Sequence, residues 1–264
     1  MDLYTLTTKT AFIILALAIL YYSHRKGALD FKGFLCASAC GIFIVFLSGD
    51  FWVSNFILLF VFFIAGSAAT RYLCEKKACF GIAEKNGCRG VKNVIGNGGA
   101  PVIMLFLFYI SNNAPGLNIP PEAFIFGYIA AISTATADTL ASEIGSLSRH
   151  RPVLITTLEP QPAGTDGALS SLGTTVSLVG AAIIGIFSVF LYTSTTQYTA
   201  SLNIPGSHTL FLIVAALGFA GSMIDTIVGA TLQRKGFVNN HGTNFISGLI
   251  CAVIGVFVYG MLVD

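Results

Sequence analysis

The sequence is poor in charge. Only 10% of its residues are Asp, Glu, Lys or Arg, where soluble domains carry about a quarter. That scarcity, with a mean hydropathy of +0.80, excludes an ordinary soluble domain and leads to an integral membrane protein. No two of the six cysteines form a CxxC pair. Cys74, Cys79 and Cys88 share a loop without a histidine and are read as free thiols, with a metal cluster as the alternative. The glycine cluster "GNGGAP" is not followed by GK[ST], which excludes a Walker A loop. The basic group at His24–Lys26 follows the first apolar run, and no cleavage site comes after it. The first run is therefore expected to be a retained helix and not a signal peptide. A short chain without a transit peptide suggests a prokaryotic relative.

Apolar runs long enough to span a bilayer occur eight times, near Thr8–Tyr22, Gly33–Leu47, Phe51–Ala69, Pro101–Ile110 with its flanks, Ala123–Ser146, Leu169–Tyr192, Thr209–Gln233 and Thr243–Leu262. Their length and lack of alternation select helices over barrel strands. The expected fold is an all-α polytopic bundle of about eight transmembrane helices, one integral domain over residues 1–264. Of the 14 basic residues, all but Lys9 fall in alternate loops. The positive-inside rule makes those loops cytoplasmic and puts both termini outside.

Three of the twelve acidic residues, Asp138, Glu143 and Asp225, lie within spans. Each costs about 2.5–3.5 kcal/mol on insertion scales and is a functional candidate for that reason. Thr134, Asp138 and Ser142 share one helical stripe, and Thr136, Thr139, Glu143 and Ser146 a second. In the seventh span, Gly221, Asp225, Gly229 and Gln233 step by four, with a glycine packing stripe as the plainer reading.

Three loops on the same side add polar groups. "AEKNGCRGVKNVIGNGGAP" reads as an interfacial segment with Arg89 and Lys92, then a glycine turn at Gly96–Gly99 open to phosphate or merely helix-breaking. In "LITTLEPQPAGTDGALSSLGTTVS", Pro160 and Pro162 prevent a continuous helix. Asp166 is either a cap of the sixth span or a metal ligand. Ser170 opens a polar helix start suited to an anion. In "QRKGFVNNHGTNFISG", Asn240 and Asn244 share a face, and Asn239 and His241 flank the entry, either as caps or as site groups.

Carboxylates and amides are hard oxygen ligands that suit Mg²⁺ with a phosphate. Transmembrane walls admit a lipid-soluble partner sideways. Phosphoryl or nucleotidyl transfer to a membrane lipid is therefore expected, with a cation- or proton-coupled transporter as the rival from another class.

The ordered series "RGVKNVIGNGG", "ATADTLASEIG", "TTLEPQPAGTDGALSSLGT", "GSMIDTIVGATLQ" and "NNHGTNF", running from about Arg89 to Phe245, resembles the integral membrane family that includes plant phytyl-phosphate kinase. The resemblance implies a Mg²⁺-dependent kinase of the cell membrane. It would make a prenyl diphosphate from a monophosphate such as phytyl or geranylgeranyl phosphate, with a nucleoside triphosphate, CTP in the first instance, as donor. A CTP-dependent lipid nucleotidyltransferase is the nearest alternative. Asp138, Glu143 and Asp225, with Asp166, would hold Mg²⁺. Arg89, Lys92 and Arg149 would contact phosphates, with Asn97, Ser170, Asn239, Asn240 and Asn244 around substrate or nucleotide. No nucleic-acid partner is expected.

Overall fold

A computed structural model describes residues 3–79, 87–114, 116, 118–195, 200–204 and 206–263, without the side chains of Lys76 and Cys79. The long helices are α1 (Leu3–Arg25), α2 (Phe31–Leu47), α3 (Trp52–Arg71), α5 (Val91–Asn113), α6 (Pro121–Gly145), α7 (Ser171–Tyr192), α8 (Ser207–Val228) and α9 (Asn240–Val263); a short α4 (Cys74–Cys79) follows α3. Each of the eight expected spans is a helix. Seven are long and apolar enough to cross a membrane, and α2, at 17 residues, is the shorter eighth. The protein is a multi-pass helical membrane protein.

The bundle is organised around α6, whose most apolar 18-residue stretch is wholly buried. It packs against α3, α5, α7, α8 and α9. Lipid offers helices no hydrophobic gain on association, so close packing and interhelical hydrogen bonds must hold them together. The α6 sequence supplies both. Small residues dominate its middle, and glycines on its neighbours face them: a methyl on Gly218 would overlap Ser133, and one on Gly221 would overlap Thr134. Ser133 Oγ donates to the Val214 carbonyl of α8 at 3.1 Å. Near the α6 N-terminus, the hydroxyls of Tyr128 and Tyr192 donate to the Asn55 carbonyl and to Asn55 Oδ1, both at 2.6 Å.

The polar loops collect at the opposite end. Lys77 reaches Glu143, the Arg89 N–H donates to the Ala28 carbonyl, Gly96 abuts the His241 backbone, and Gly145 abuts Gly173. At the other end, Lys9 lies over the rings of Phe46 and Trp52, and Tyr259 packs on Phe126. The start of α1 and the end of α9 therefore belong to the end away from the polar loops.

The structure corrects one local expectation. Gly96–Gly99 is not a turn but part of α5. The helix start is tied by the Gly90 N–H donating to Asn93 Oδ1 at 3.1 Å. The glycines serve close approach: a Cβ at Gly96 would stand 2.8 Å from the His241 carbonyl oxygen, and one at Gly99 the same distance from the Phe245 ring. In a bilayer an unwound backbone has no water to bond, so helix persists where an aqueous loop would turn.

Candidate functional site

The C-terminal end of α6 carries its two polar stripes to different partners. Asp138 and Ser142 open into a cavity of about 440 Å³ bounded by the ends of α6 and α8, the starts of α7 and α9, and the loop between α6 and α7. Thr139 and Glu143 turn toward the α3–α4 corner. There Lys77 Nζ donates to Glu143 Oε2 at 2.6 Å and to the carbonyls of Ala69 and Thr70, each at 2.9 Å. The Lys77 ammonium thus occupies the negative end of the α3 dipole as well as the ion pair. Glu143, expected as a metal ligand, also lines the cavity, but its carboxylate is engaged by this lysine.

Asp225 projects from α8 toward α6, and its carboxyl group lies within hydrogen-bonding distance of that of Asp138. Ser247 Oγ of α9 donates to Asp225 Oδ2 at 2.9 Å. A few residues on, Thr243 Oγ1 donates to Gln233 Oε1 at 2.9 Å, joining α9 to the π-helical turn Gly229–Gln233 that ends α8. Two carboxylates in contact require a proton or a cation between them.

The loop above the acids is folded, as Pro160 and Pro162 led us to expect of a helix-free segment. Two short strands, β1 (Val153–Leu154) and β2 (Ala168–Leu169), form an antiparallel pair. Gly167, with φ +73°, lies against Ala230 so closely that any side chain would collide with it. This contact pins the loop to the end of α8 and brings Asp166 into the cavity wall, within electrostatic reach of Asp225. Asp166 does not cap α7. Ser170 does: its Oγ accepts the Gly173 N–H at 3.0 Å and donates to the Gly145 carbonyl at 3.0 Å. Ser170 therefore ties α6 to α7 and also lines the cavity.

The asparagines divide. Asn239 caps α9, accepting the Gly242 N–H at 2.9 Å. Asn240 and His241 line the cavity. Asn244 turns to α5, where its Nδ2 donates to Asn97 Oδ1 at 3.4 Å; neither of these two is in the cavity wall. The basic residues expected at the phosphates are elsewhere. Lys92 and Arg149 are exposed, and Arg89 is buried with its guanidinium over the Phe62 ring, 5.3 Å from the centroid. No lysine or arginine is among the described residues that line the cavity. The partnership of Lys77 with Glu143 escaped sequence reasoning, because the lysine lies 66 residues away in a charged loop with nothing to mark it. Cys74 and Cys88 are not in a disulfide, and the Cys79 side chain lies outside the described residues.

Among the described residues, no three or more Asp, Glu, His or Cys side chains form a self-sufficient metal site. The donor set nevertheless fits Mg²⁺, which is ordinarily held by one or two carboxylates, with waters and substrate phosphates completing the shell. Asp138 and Asp225 supply that pair, and Asp166 stands beside it.

Residues 14–252 match the family described as Integral membrane protein DUF92. The chain belongs to this family. DUF92 is the family to which the motif series pointed. An uncharacterized membrane protein of Methanocaldococcus jannaschii is 35% identical over 94% of this chain and 92% of its own length. The chloroplastic protein VTE6 of Arabidopsis thaliana is 29% identical over 83% of this chain and 64% of its own. Protein PGR, also of Arabidopsis thaliana, is 27% identical over 92% of this chain and 93% of its own. No solved structure matches the chain significantly.

Proposed function

We propose that this protein is a prenyl-phosphate kinase of the cell membrane, with its site on the cytoplasmic face. The reaction would transfer the terminal phosphoryl group of a nucleoside triphosphate, CTP in the first instance, to phytyl, geranylgeranyl or a related prenyl monophosphate. The carrying observation is the cavity itself: Asp138, Glu143, Asp166 and Asp225 line it, and no lysine or arginine is among the described residues that do. A triphosphate can enter such a cavity only with its charge covered by cations. Membership in a family that resembles plant phytyl-phosphate kinase supports the same reading, and the basic loops at this end support its cytoplasmic orientation.

The chemistry asks little of a base. The second pKa of a phosphate monoester lies near 6, so its oxygen is already an anion at neutral pH. That oxygen attacks the terminal phosphorus, the bond from phosphorus to the bridging oxygen breaks, and the nucleoside diphosphate leaves with the electron pair. Bound Mg²⁺, held by Asp138 and Asp225 with Asp166 beside them, would supply charge neutralisation of the triphosphate. Positioning is the remaining task. Ser247 fixes the Asp225 carboxylate, the Gly167–Ala230 contact fixes the loop that carries Asp166, and Asn240 offers an amide to the nucleotide. The Lys77 ammonium keeps Glu143 compensated at the edge of the cavity.

The site lies at one end of the bundle, whereas carriers tend to bind near the bilayer midplane. The test is product analysis. Purified protein with geranylgeranyl phosphate, Mg²⁺ and each nucleoside triphosphate should give the lipid diphosphate and a nucleoside diphosphate. A cytidylyl lipid with pyrophosphate would instead assign nucleotidyl transfer. Absence of turnover together with cation flux in liposomes would assign transport.

A further inference from the structure

Gln233 and Asn240 line the acidic cavity but stand apart from its carboxylates, on the loop side. Along α8 and its π-helical end, Asp225 and Gln233 are separated by roughly 12 Å at the helical rise. That is comparable to the span from the terminal phosphates of a nucleoside triphosphate to its base. A triphosphate held at the acids would therefore bring its base to these two amides. Hydroxyls of the facing loop serve the loop itself: Thr165 Oγ1 donates to the Pro162 carbonyl at 2.8 Å, and Ser148 Oγ accepts the His150 N–H at 3.3 Å.

The two amides differ. Gln233 closes the π-helical turn Gly229–Gln233, a rare geometry that recurs at functional sites. Thr243 of α9, fully buried, donates to Gln233 Oε1 at 2.9 Å; its longer contact, at 3.2 Å, is to the Asn239 carbonyl. The shorter contact occupies Oε1 and holds the amide in one orientation. What Gln233 has left to offer is the pair of donors on Nε2, which has no partner among the described residues. The Asn240 side chain also has no hydrogen-bond partner among the described residues, so either end of its amide can turn inward.

A fixed donor discriminates by what it meets on the Watson–Crick edge of a base. Cytosine N3 and adenine N1 are acceptors. Uracil and guanine carry a proton on the corresponding nitrogen, so a donor would face a donor. The amino group beside that nitrogen in cytosine and adenine can donate to Asn240 Oδ1.

We propose that Gln233, oriented by Thr243, reads the base of the nucleotide and selects the amino bases cytosine and adenine over the keto bases uracil and guanine. The inference rests on the kinase reading for the presence of a nucleotide. It also sets the direction of that nucleotide. The base lies toward the loops and the terminal phosphate against Asp138 and Asp225, which leaves the bilayer side of the acids to the acceptor.

The test reads binding without requiring turnover. Purified full-length protein is titrated calorimetrically with CTP, UTP, ATP and GTP in Mg²⁺ and without acceptor. Wild type should bind CTP about tenfold or more tightly than UTP, the worth of one good base contact, and ATP more tightly than GTP. Gln233→Glu replaces the donor by an acceptor. It should reverse the order of CTP and UTP, even though its added charge weakens both. Thr243→Val frees the amide to turn and should bring the CTP/UTP ratio close to one, while its melting temperature shows that it folds. A merely structural role for Thr243 would weaken all four nucleotides alike. Equal binding of CTP and UTP by the wild type, or a ratio that neither variant moves, would overturn the assignment even for an active kinase. A ratio that depends on Gln233, in a protein that turns over no prenyl phosphate, would uphold the base reading and remove the kinase. Absence of binding by all four nucleotides would overturn both.

Discussion

Lys77 Nζ lies 2.6 Å from Glu143 Oε2, joining the α3–α4 corner to the central helix; the lysine side chain is 2% exposed and the glutamate 23%. Removing one member of a buried pair leaves the other uncompensated, at a cost of about 3–5 kcal/mol. The cavity beside Glu143 admits water, so the lower end of that range is expected for Lys77→Met. The variant should melt well below the wild type in detergent. Lys77→Met combined with Glu143→Gln should regain much of the loss, because no charge is then stranded. Equal melting temperatures for the single and double variants would remove the pair from the stabilising interactions.

Asp138 and Asp225 make the opposite prediction. Their carboxyl groups share a hydrogen bond, so with no cation bound one of them must hold a proton, and an amide at one position can donate in its place. Asp138→Asn should keep or raise the melting temperature of the ligand-free protein while nearly abolishing turnover. A destabilised Asp138→Asn that retains near-normal activity would show that the pair serves packing.

Ser247 tests whether orientation of Asp225 matters. Its hydroxyl supports the carboxylate from α9, and partners of this kind are typically worth about 10–100-fold in affinity or activity. Ser247→Ala should raise the Mg²⁺ concentration needed for half-maximal activity, and saturating Mg²⁺ should recover much of the rate. A variant whose Mg²⁺ dependence matches the wild type would detach Ser247 from the site.

Gly167 tests the loop. Its φ of +73° and its packing on Ala230 leave no room for a side chain. Gly167→Ala should lift the loop, raise the KM for nucleotide and expose the segment around Pro160–Pro162 to protease. An unchanged nucleotide KM would mean that the loop does not border the nucleotide.

Much of this architecture was legible in the sequence because bilayers impose simple demands. Runs of apolar residues marked all eight long helices, and Asp138 and Asp225 stood out because ionisable groups within spans are costly. What the sequence left open was decided by contacts between distant segments. Gly96–Gly99 read as a breaker by intrinsic propensity, yet the need to satisfy the backbone in lipid and the approach of α9 keep it helical. Asp166 read equally as a cap or a metal ligand, and it took the Ser170 bond to the Gly173 N–H to assign the cap and the Gly167–Ala230 contact to bring Asp166 to the cavity wall. Arg89 and Lys77 lay among loop charges, and loop membership does not say which side of α6 a cation will reach.

The acidic cavity carries the central claim, and direct measurement of nucleotide binding and turnover addresses it most closely. Purified protein should bind CTP weakly after chelation of divalent cations and much more tightly when Mg²⁺ is restored. With geranylgeranyl phosphate present, the Mg²⁺-loaded protein should form geranylgeranyl diphosphate and CDP in equal amounts. Mg²⁺-independent binding of nucleotide, or no diphosphate from any prenyl phosphate with any of the four nucleoside triphosphates, would contradict the account.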